Sequence, residues 1–379
     1  MGHTQSIEEV MNHKVHFIGI GGVGMSALAL VLLGRNVAVS GSDLGASYVT
    51  EMLEKAGAKV YKGHSAEHVE PQTTVIYTTG ITETNPEYSA AKALGCSLLH
   101  RSDLLNMIAK QYKMLAVAGT HGKTTTSALL THVLKVSGED PAYAVGGVIP
   151  QYNSNGGDGK GDYFIVEACE SDGTFLKYAP FGAIVTNIDS DHLDHFGSEK
   201  AIHSAFFEFI KHVTSPSHLF WCGDDPHLKQ HSPQGISYGF GENCQLRISK
   251  YLQEGWQICF DVDFKGKHYE KIRIPLIGRH QALNGAAVFG LACSLGVQEE
   301  LICQALSTFA GVKRRCEFKG EHHGIRLYDD YAHHPVEIKT TLDGIRSISN
   351  TVFANGVFAP IFETSSPSSD PCDINSCRT

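Results

Sequence analysis

The chain has 379 residues, more than one hydrophobic core usually organises, and this length predicts two or three domains. With 42% hydrophobic and 19% charged residues, the composition is typical of a soluble globular protein. The formal net charge of −9 opposes general binding to a phosphate backbone, so we expect no nucleic-acid partner. Ten scattered cysteines without a C-x-x-C pair, and an N-terminus without a signal-peptide pattern, predict a cytoplasmic protein with reduced thiols.

The first predicted domain, residues 1–112, is a Rossmann-like α/β domain. The segment from Val15 to Gly34 is apolar and about long enough to span a bilayer. Its glycine cluster and His16 favour a buried strand, a glycine turn and a buried helix instead, so we expect no membrane partner. The stretch TTVIYTTG predicts a further strand, and NPEYSAAKALG predicts a helix that ends at a glycine.

The glycine run GIGGVGM lies between the first predicted strand and helix. Glycines at this place let backbone N–H groups approach a pyrophosphate at the N-terminus of a helix. Asp43, about twenty residues on, ends the next strand and is placed to bind a ribose hydroxyl. The predicted substrate-binding residues of this domain are Gly19, Gly21, Gly22, Gly24 and Asp43. Taken alone, this pattern is typical of dehydrogenases that bind a dinucleotide.

The second predicted domain, residues 113–320, is a central P-loop ATPase α/β domain. In AVAGTHGKTTT a strand leads through glycines into a helix, although only two residues separate Gly119 from the Gly-Lys pair and the usual loop has four. Lys123 would reach the β- and γ-phosphates, and the Thr124 hydroxyl would bind Mg²⁺. The predicted ATP-binding residues of the loop are Gly119, Thr120, His121, Gly122, Lys123, Thr124 and Thr125. Two consecutive phosphate sites indicate a nucleotide-linked substrate plus ATP, which disfavours the dehydrogenase.

Polar side chains follow two further apolar strands of the central domain. Glu167 ends the strand in YFIVEACESD, and His192 follows the strand in GAIVTNIDSDHLD. Ligands of open α/β sheets bind at such carboxyl ends. Mg²⁺ prefers oxygen ligands and binds histidine less often. The assignment of His192 as a metal ligand therefore depends on the other predicted residues of the site. The predicted metal ligands are Thr124, Glu167 and His192.

The rest of the central domain carries fewer motifs with a predicted chemical role. We expect a flexible loop over residues 151–162 (QYNSNGGDGKGD), a β-rich section over 251–276 and helices around 282–309.

Together these motifs resemble the Mur ligase family, ATP-dependent ligases that add amino acids to peptidoglycan precursors. The resemblance extends from about residue 14 to residue 346 in family order, through HFIGIGGVGMSALA, VSGSD, AVAGTHGKTTT, EACESDGTFL, TNIDSDHLDHFG, GRHQALNGAA, GVKRRCEFKG and DDYAHHPVEI. It is closest to the branch that joins L-alanine to UDP-N-acetylmuramate. The branch that attaches a ready-made tripeptide to the same UDP-sugar is the alternative, but GIGGVGM and ESDGTF fit the alanine branch better.

The resemblance implies a three-domain enzyme that uses ATP and Mg²⁺. ATP would phosphorylate the lactyl carboxylate of the UDP-sugar, and the amine of L-alanine would attack the acyl phosphate. It further implies that Asn284 reads adenine, Arg315 reaches the phosphates and Asp330 holds the ATP ribose. Ser171 is assigned to the substrate, and His333 is expected near the reacting carboxylate. The implied catalytic set is Lys123, Glu167, His192 and His333.

The sequence departs from the family pattern at three places. Cys169 stands where the family usually has aspartate, and Gln281 stands where it usually has asparagine. Residues 321–348 match only the start of an α/β C-terminal domain, and residues 349–379 form a serine-rich stretch without lysine that we expect to be a disordered tail. A truncation or frameshift near Ser347 is therefore expected, and a non-catalytic remnant that still binds nucleotides is the alternative from another class. The sequence predicts no oligomeric state.

Overall fold

The computed structural model describes residues 6–171, 173–189, 196–323 and 325–348. The predicted metal ligand His192 and the predicted tail over 349–379 lie outside the described residues.

A five-stranded parallel sheet forms the first domain. Its strands are β1 (Val15–Ile18), β2 (Val39–Asp43), β3 (Lys59–Lys62), β4 (Thr74–Tyr77) and β5 (Ser97–His100). The accompanying helices are α1 (Ile7–Met11), α2 (Val23–Gly34), α3 (Tyr48–Lys55), α4 (Pro86–Ala93) and α5 (Arg101–Ala109). The strand order is β3-β2-β1-β4-β5, so the direction of winding reverses beside β1. Ligands of open α/β sheets bind at such a reversal, and the predicted glycine run follows β1 directly.

The apolar segment from Val15 to Gly34 divides as predicted into strand β1, a glycine turn and helix α2. Most of its side chains are buried because α2 packs both on its own sheet and on the central domain, while Val23 is exposed. Within the part of the chain that the structure describes, no helix combines the length and the apolar character needed to cross a membrane.

The central domain is built on a ten-stranded mixed sheet. Its strands are β6 (Lys113–Ala118), β7 (Ala142–Ile149), β8 (Ser154–Gly157), β9 (Tyr163–Glu167), β10 (Gly182–Val185), β11 (Leu219–Cys222), β12 (Ile236–Gly239), β13 (Leu246–Glu254), β14 (Gln257–Phe264) and β15 (Lys267–Ile274). The order is β15-β14-β13-β12-β11-β10-β6-β9-β7-β8, with parallel pairing from β13 to β7 and antiparallel pairing at both edges. Strand β6 therefore lies between β9 and β10, and its carboxyl end meets theirs.

Among the described residues of the central domain, five α-helices pack around this sheet. They are α6 (Lys123–Val136), α7 (Glu199–Lys211), α8 (Pro226–His231), α9 (Arg279–Ser294) and α10 (Glu299–Thr308). Helix α6 is buried along most of its length because β7, β9, α9 and α10 all contact it. The β-rich section and the two later helices therefore appear where the sequence predicts them.

The prediction of a flexible loop over residues 151–162 is wrong, because strand β8 occupies the centre of this stretch. Strand β8 pairs antiparallel with β7 and packs against α2 of the first domain. A Cβ on Gly156 would lie 2.3 Å from the carbonyl oxygen of Ala27, so this glycine serves close packing. The Asn155 amide donates to the Val23 carbonyl over 2.9 Å and lies 3.1 Å from the Ser26 hydroxyl. The polar, glycine-rich composition thus marks a joint between the two domains.

The third segment, residues 314–348, comprises a short stretch of chain, a hairpin and a helix. Strands β16 (Glu317–His322) and β17 (Ile325–Asp329) pair antiparallel, and helix α11 spans Pro335–Arg346. The predicted boundary between residues 320 and 321 falls inside β16. The segment rests on the central domain, since the Gln253 amide donates to the Gly344 carbonyl over 3.2 Å and the Trp256 and Tyr328 rings stack 4.4 Å apart.

Candidate functional site

The loop between β6 and α6 requires both of its glycines. Gly119 has a φ of 131°, and a Cβ there would lie 2.0 Å from the Thr186 hydroxyl oxygen. Gly122 is the N-cap of α6 with a φ of 83°. Glycine adopts these left-handed conformations without a steric cost, and no other residue does so as readily. The loop therefore delivers Lys123 and Thr124 at the positive end of a helix, where phosphate is favoured.

The same loop is held by the residues that follow β10. Backbone N–H of Thr120 donates to the Asn187 carbonyl over 3.1 Å, and backbone N–H of His121 donates to the Asn187 side chain over 2.8 Å. The Thr186 hydroxyl donates to the His121 carbonyl over 2.6 Å. The backbone of Asp189 donates to the Thr120 hydroxyl over 2.9 Å. These bonds fix the loop without using the N–H groups at the start of α6.

Lys123 is held beside an acidic residue that the sequence reasoning passed over. Its Nζ donates to the Gly119 and Thr120 carbonyls and lies 2.9 Å from Oε1 of Glu170. Burial alone would lower the pKa of Lys123, but the Glu170 carboxylate outweighs it and the pKa is raised. Glu170 is only 2% exposed, and its second oxygen has no hydrogen-bond partner among the described residues. The lysine therefore stays charged in this site.

An oxygen-rich corner adjoins Lys123 at the start of α6. Thr124 donates through its hydroxyl to Oε1 of Glu167 over 3.2 Å, and the backbone N–H of Gly146 donates to Oε2 over 2.8 Å. A Cβ on Gly146 would lie 2.3 Å from that carboxylate, so the glycine makes room for it. Hydroxyl and carboxylate oxygens are the ligands that Mg²⁺ prefers. Glu170, whose second oxygen has no partner among the described residues, follows Glu167 by three residues beyond the end of β9. The donor set fits a hard divalent cation.

Residues from α9 and the third segment complete the site. The side-chain oxygen of Asn284 would lie 3.1 Å from a Cβ on Gly122, and its amide donates to Gln281 over 3.0 Å. The Arg315 guanidinium donates to the Thr124 hydroxyl over 3.4 Å. Asp330 accepts backbone N–H groups at 2.7 and 2.8 Å, and burial raises its pKa. The predicted adenine, phosphate and ribose residues thus lie around one loop.

A cavity of about 480 Å³ joins these groups. It is lined by residues of the phosphate loop, the end of β10, α9 and the third segment. Thr125, Asn284, Arg315 and Asp330 are among the lining residues. A cavity of this size accommodates a small-molecule ligand, and its position at carboxyl ends of parallel strands is the usual one for a nucleotide.

The two histidines of YAHHPVE face different surroundings. The His333 side chain is 70% exposed, and its Nδ1 lies 3.1 Å from the Tyr331 carbonyl. The His334 ring instead lies 4.9 Å from the ring of His121 in the phosphate loop. The structure therefore brings His334 to the loop, a residue that the sequence reasoning did not select. A catalytic role for His333 stays a prediction.

The glycine run of the first domain forms a second loop at the edge of a parallel sheet. Gly19 has a φ of 79°, and Gly22 caps α2. The carboxylate of Asp43 accepts the Gly21 N–H over 2.9 Å, and a Cβ on Gly21 would lie 2.7 Å from that oxygen. Asp43 therefore fixes the loop itself, in addition to any contact that it makes with a ribose.

The structure also places Arg101, which the sequence reasoning missed, and Ser171, which it predicted. Arg101 covers the start of α2, since its Nη1 would lie 2.8 Å from a Cβ on Gly24. No sequence signal singles it out. The Ser171 hydroxyl lies 3.1 Å from the Cys169 sulfur, whose pKa is raised by burial. Ser171 as a substrate-binding residue stays a prediction.

The two glycine loops follow parallel strands in the interior of two sheets, and a lysine, a hydroxyl and carboxylates surround the second loop. This arrangement defines a nucleotide-dependent enzyme of several α/β domains. Three family profiles match the chain in order. They are the Mur ligase family catalytic domain over residues 14–113, the Mur ligase middle domain over 117–292 and the Mur ligase glutamate ligase domain over 314–358. The chain belongs to the Mur ligase family, and the predicted resemblance is confirmed. The third match extends into the residues predicted as a tail, and the predicted domain bounds stay a prediction.

Curated relatives cover most of the chain. It is 53% identical over 351 residues to UDP-N-acetylmuramate–L-alanine ligase of Protochlamydia amoebophila, a match that spans 92% of this chain and 77% of the relative. It is 44% identical over 339 residues to the bifunctional enzyme MurC/Ddl of Chlamydia caviae, which spans 89% of this chain and 42% of the relative. The family matches over residues 14–113 and 117–292 include both glycine loops.

Solved structures agree with this family and with the α/β fold class. UDP-N-acetylmuramate-alanine ligase MurC of Thermotoga maritima superposes with a TM-score of 0.81 at 30% identity, over 89% of this chain and 78% of that one. A murein peptide ligase of Psychrobacter arcticus superposes with a TM-score of 0.73 at 26% identity, over 88% and 76% of the two chains. Both branches weighed from the sequence thus have a structural relative.

Proposed function

We propose that this chain joins L-alanine to UDP-N-acetylmuramate at the expense of ATP, in the synthesis of peptidoglycan precursors. The observation that carries the proposal is the pair of glycine loops, one neutral and one bearing Lys123, in a chain 53% identical to a relative of that name. A neutral loop suits a diphosphate that is bound and kept, whereas a lysine beside a hydroxyl suits a phosphoryl group that is transferred.

We infer the following roles for the chain's own groups. Lys123 neutralises the β- and γ-phosphates, and Arg315 reaches them from the third segment. Asn284 reads the adenine and Asp330 holds the ribose of ATP. On the substrate side, the N–H groups of the first loop hold the diphosphate, with Asp43 and Ser171 as further contacts and His333 near the reacting carboxylate. Cytoplasmic location belongs to the same proposal.

The proposed reaction has two steps. An oxygen of the lactyl carboxylate attacks the γ-phosphorus of ATP, so that ADP leaves and an acyl phosphate forms. The amine of L-alanine then attacks the acyl carbon, phosphate leaves, and the amine loses a proton as the amide forms. Thr124 and Glu167 would hold Mg²⁺, with His192 proposed for a second ion, and the bound cation supplies charge neutralisation for the transferring phosphoryl group.

The acceptor separates this function from its nearest alternative. Phosphate release from ATP is measured with UDP-N-acetylmuramate and either L-alanine or the tripeptide L-alanyl-γ-D-glutamyl-meso-diaminopimelate. We expect L-alanine to stimulate release and the tripeptide to leave it unchanged. Stimulation by the tripeptide alone would assign the chain to the recycling branch instead.

A further inference from the structure

The ring of His121 lies between two carboxylates from different parts of the chain. Its Nε2 is 3.2 Å from Oδ2 of Asp189, which follows β10 in the central domain. Its Nδ1 is 3.2 Å from Oε1 of Glu337, in the first turn of α11. The side chains of His121 and Glu337 are only 15% and 17% exposed. The contact therefore bridges the phosphate loop and the third segment, and the Asp189 side chain, 39% exposed, is its most open part.

The chemistry of imidazole limits how this contact can form. A neutral ring has one N–H and one lone pair, so it donates to one carboxylate and repels the other. Only the doubly protonated ring donates to carboxylates on both sides. With both carboxylates ionised, the geometry therefore indicates an imidazolium between Asp189 and Glu337.

The electrostatic surroundings act in the same direction. Burial opposes protonation of His121, but the hydrogen bonds and charges of Glu337 and Asp189 outweigh it, so the pKa is raised above its ordinary value of 6.5. Burial likewise opposes ionisation of Glu337, yet the bond from His121 and the charge of Arg315 lower its pKa to about 2. Within the described part of the chain, His334 is a further titratable neighbour, and its ring lies 4.9 Å from that of His121.

We propose that Glu337 is a positioning residue for the nucleotide site: together with Asp189 it keeps the His121 ring doubly protonated, and this ion pair fastens the third segment to the phosphate loop. Arg315 and Asp330 belong to the same segment and line the same cavity. Fastening α11 to the loop therefore places both residues against the nucleotide. The consequence for ATP depends on the proposed function, whereas the state of the ring does not.

The dependence on pH has a definite sign. Because folding raises the pKa of His121, the fastening contributes fully below pH 6.5 and is lost as pH rises through the raised value. Replacing Glu337 by glutamine removes one of the two carboxylate charges. The pKa of His121 then moves back toward its ordinary value, and the fastening is lost at a lower pH.

The direct test is an NMR titration of the His121 ring in the full chain. Its resonance is identified by its disappearance in His121→Asn, and its titration midpoint is compared in wild type, Glu337→Gln and Glu337→Asp. Asp343→Asn is the matched control, since Asp343 lies on α11 and pairs only with surface residues of that helix. We expect a wild-type midpoint above 6.5, a lower midpoint in Glu337→Gln, recovery in Glu337→Asp and no change in the control.

The second readout is the affinity for MgATP, measured by calorimetry at pH 6 and at a pH midway between the titration midpoints of wild type and Glu337→Gln. Glu337→Gln should weaken binding about fivefold at the midway pH and less at pH 6, a change that corresponds to the loss of one ion pair. A wild-type His121 midpoint at or below 6.5 that Glu337→Gln leaves unchanged would overturn the inference. Failure of the wild type to bind MgATP would instead contradict the proposed function. The titration of the His121 ring would still test the inferred ion pair.

Discussion

The two glycine loops share one plan of strand, glycines and helix, but they are fixed in different ways. The first loop, Gly19 to Gly24, is bound to its own domain through Asp43 and carries no charged residue. The second, Gly119 to Thr124, is bound to the end of β10 and carries Lys123 next to Glu170. Charge therefore distinguishes the loops, while glycine conformation is common to both.

This difference suits two different tasks. A loop that only binds a diphosphate needs N–H groups and a helix N-terminus, and extra charge would add little selectivity. A loop that hands over a phosphoryl group must also stabilise charge that moves in the transition state. The following experiments separate binding at the first loop from chemistry at the second.

The largest expected effect is that of Lys123→Ala. ADP release should fall about 10²–10³-fold, as is usual when one group that stabilises transition-state charge is removed. The affinity for UDP-N-acetylmuramate, measured by calorimetry, should stay unchanged because the first loop is intact. Lys200→Ala, at an exposed lysine of α7, is the control. Unchanged ADP release in Lys123→Ala would show that the second loop is not the site of transfer.

A pair of glycine substitutions compares the two loops directly. A methyl group on Gly119 meets the Thr186 hydroxyl at 2.0 Å in a left-handed conformation, so Gly119→Ala should lower the free energy of unfolding by about 2 kcal/mol and weaken ATP binding. A methyl group on Gly24 meets only the flexible end of Arg101 at 2.8 Å. Gly24→Ala should therefore change stability by less than about 1 kcal/mol and affect only UDP-sugar binding. Thermal unfolding and calorimetry give both values, and equal losses of stability would contradict the comparison.

Asp43→Ala should produce a smaller and local effect. It removes the acceptor of the Gly21 N–H, and a lost hydrogen bond to a charged group costs about 1.5–3 kcal/mol. The affinity for UDP-N-acetylmuramate should fall roughly tenfold. MgATP affinity should stay at the wild-type value. Asp43→Asn retains an acceptor oxygen and serves as the control, so an equal loss in both variants would assign the effect to charge.

The smallest functional effect is expected from a buried carboxylate behind the first loop. Glu87 is fully buried and bonded by Ser42 and His68; burial opposes its ionisation, yet hydrogen bonds hold its pKa at about 2. Since folding lowers this pKa, the stabilisation is present above pH 4.5 and is lost as pH falls toward 2. Glu87→Gln should cost about 1–3 kcal/mol of unfolding free energy at pH 7 and leave MgATP binding unchanged. Equal stability of both proteins at pH 7 would refute this.

The sequence was informative where local spacing dictates structure. The glycine runs, Lys123 and the strand-ending Glu167 could be predicted because a strand–glycine–helix turn leaves few other conformations. Polar composition misled at residues 151–162, where Gly156 and Asn155 serve packing against α2. A local sequence pattern cannot show contacts with another domain, and the contact between β8 and α2 is of this kind.

Tertiary contacts likewise hid part of the site. Glu170 lies within the motif EACESDGTFL, but only its burial and its contact with Lys123 distinguish it from a surface acid. Glu337 is 216 residues from His121, and no spacing rule joins them. His334 faces the loop and His333 is exposed, a difference that depends on the direction of the chain before α11.

The central claim is that ATP is spent at the second loop only when the substrates of an alanine ligase are present. The most direct measurement is ADP release by the purified chain with MgATP and UDP-N-acetylmuramate, with and without L-alanine. The account predicts release that depends on L-alanine and disappears in Lys123→Ala. ADP release that is independent of L-alanine and unchanged in Lys123→Ala would contradict the claim. So would the absence of ADP release while MgATP and UDP-N-acetylmuramate both bind.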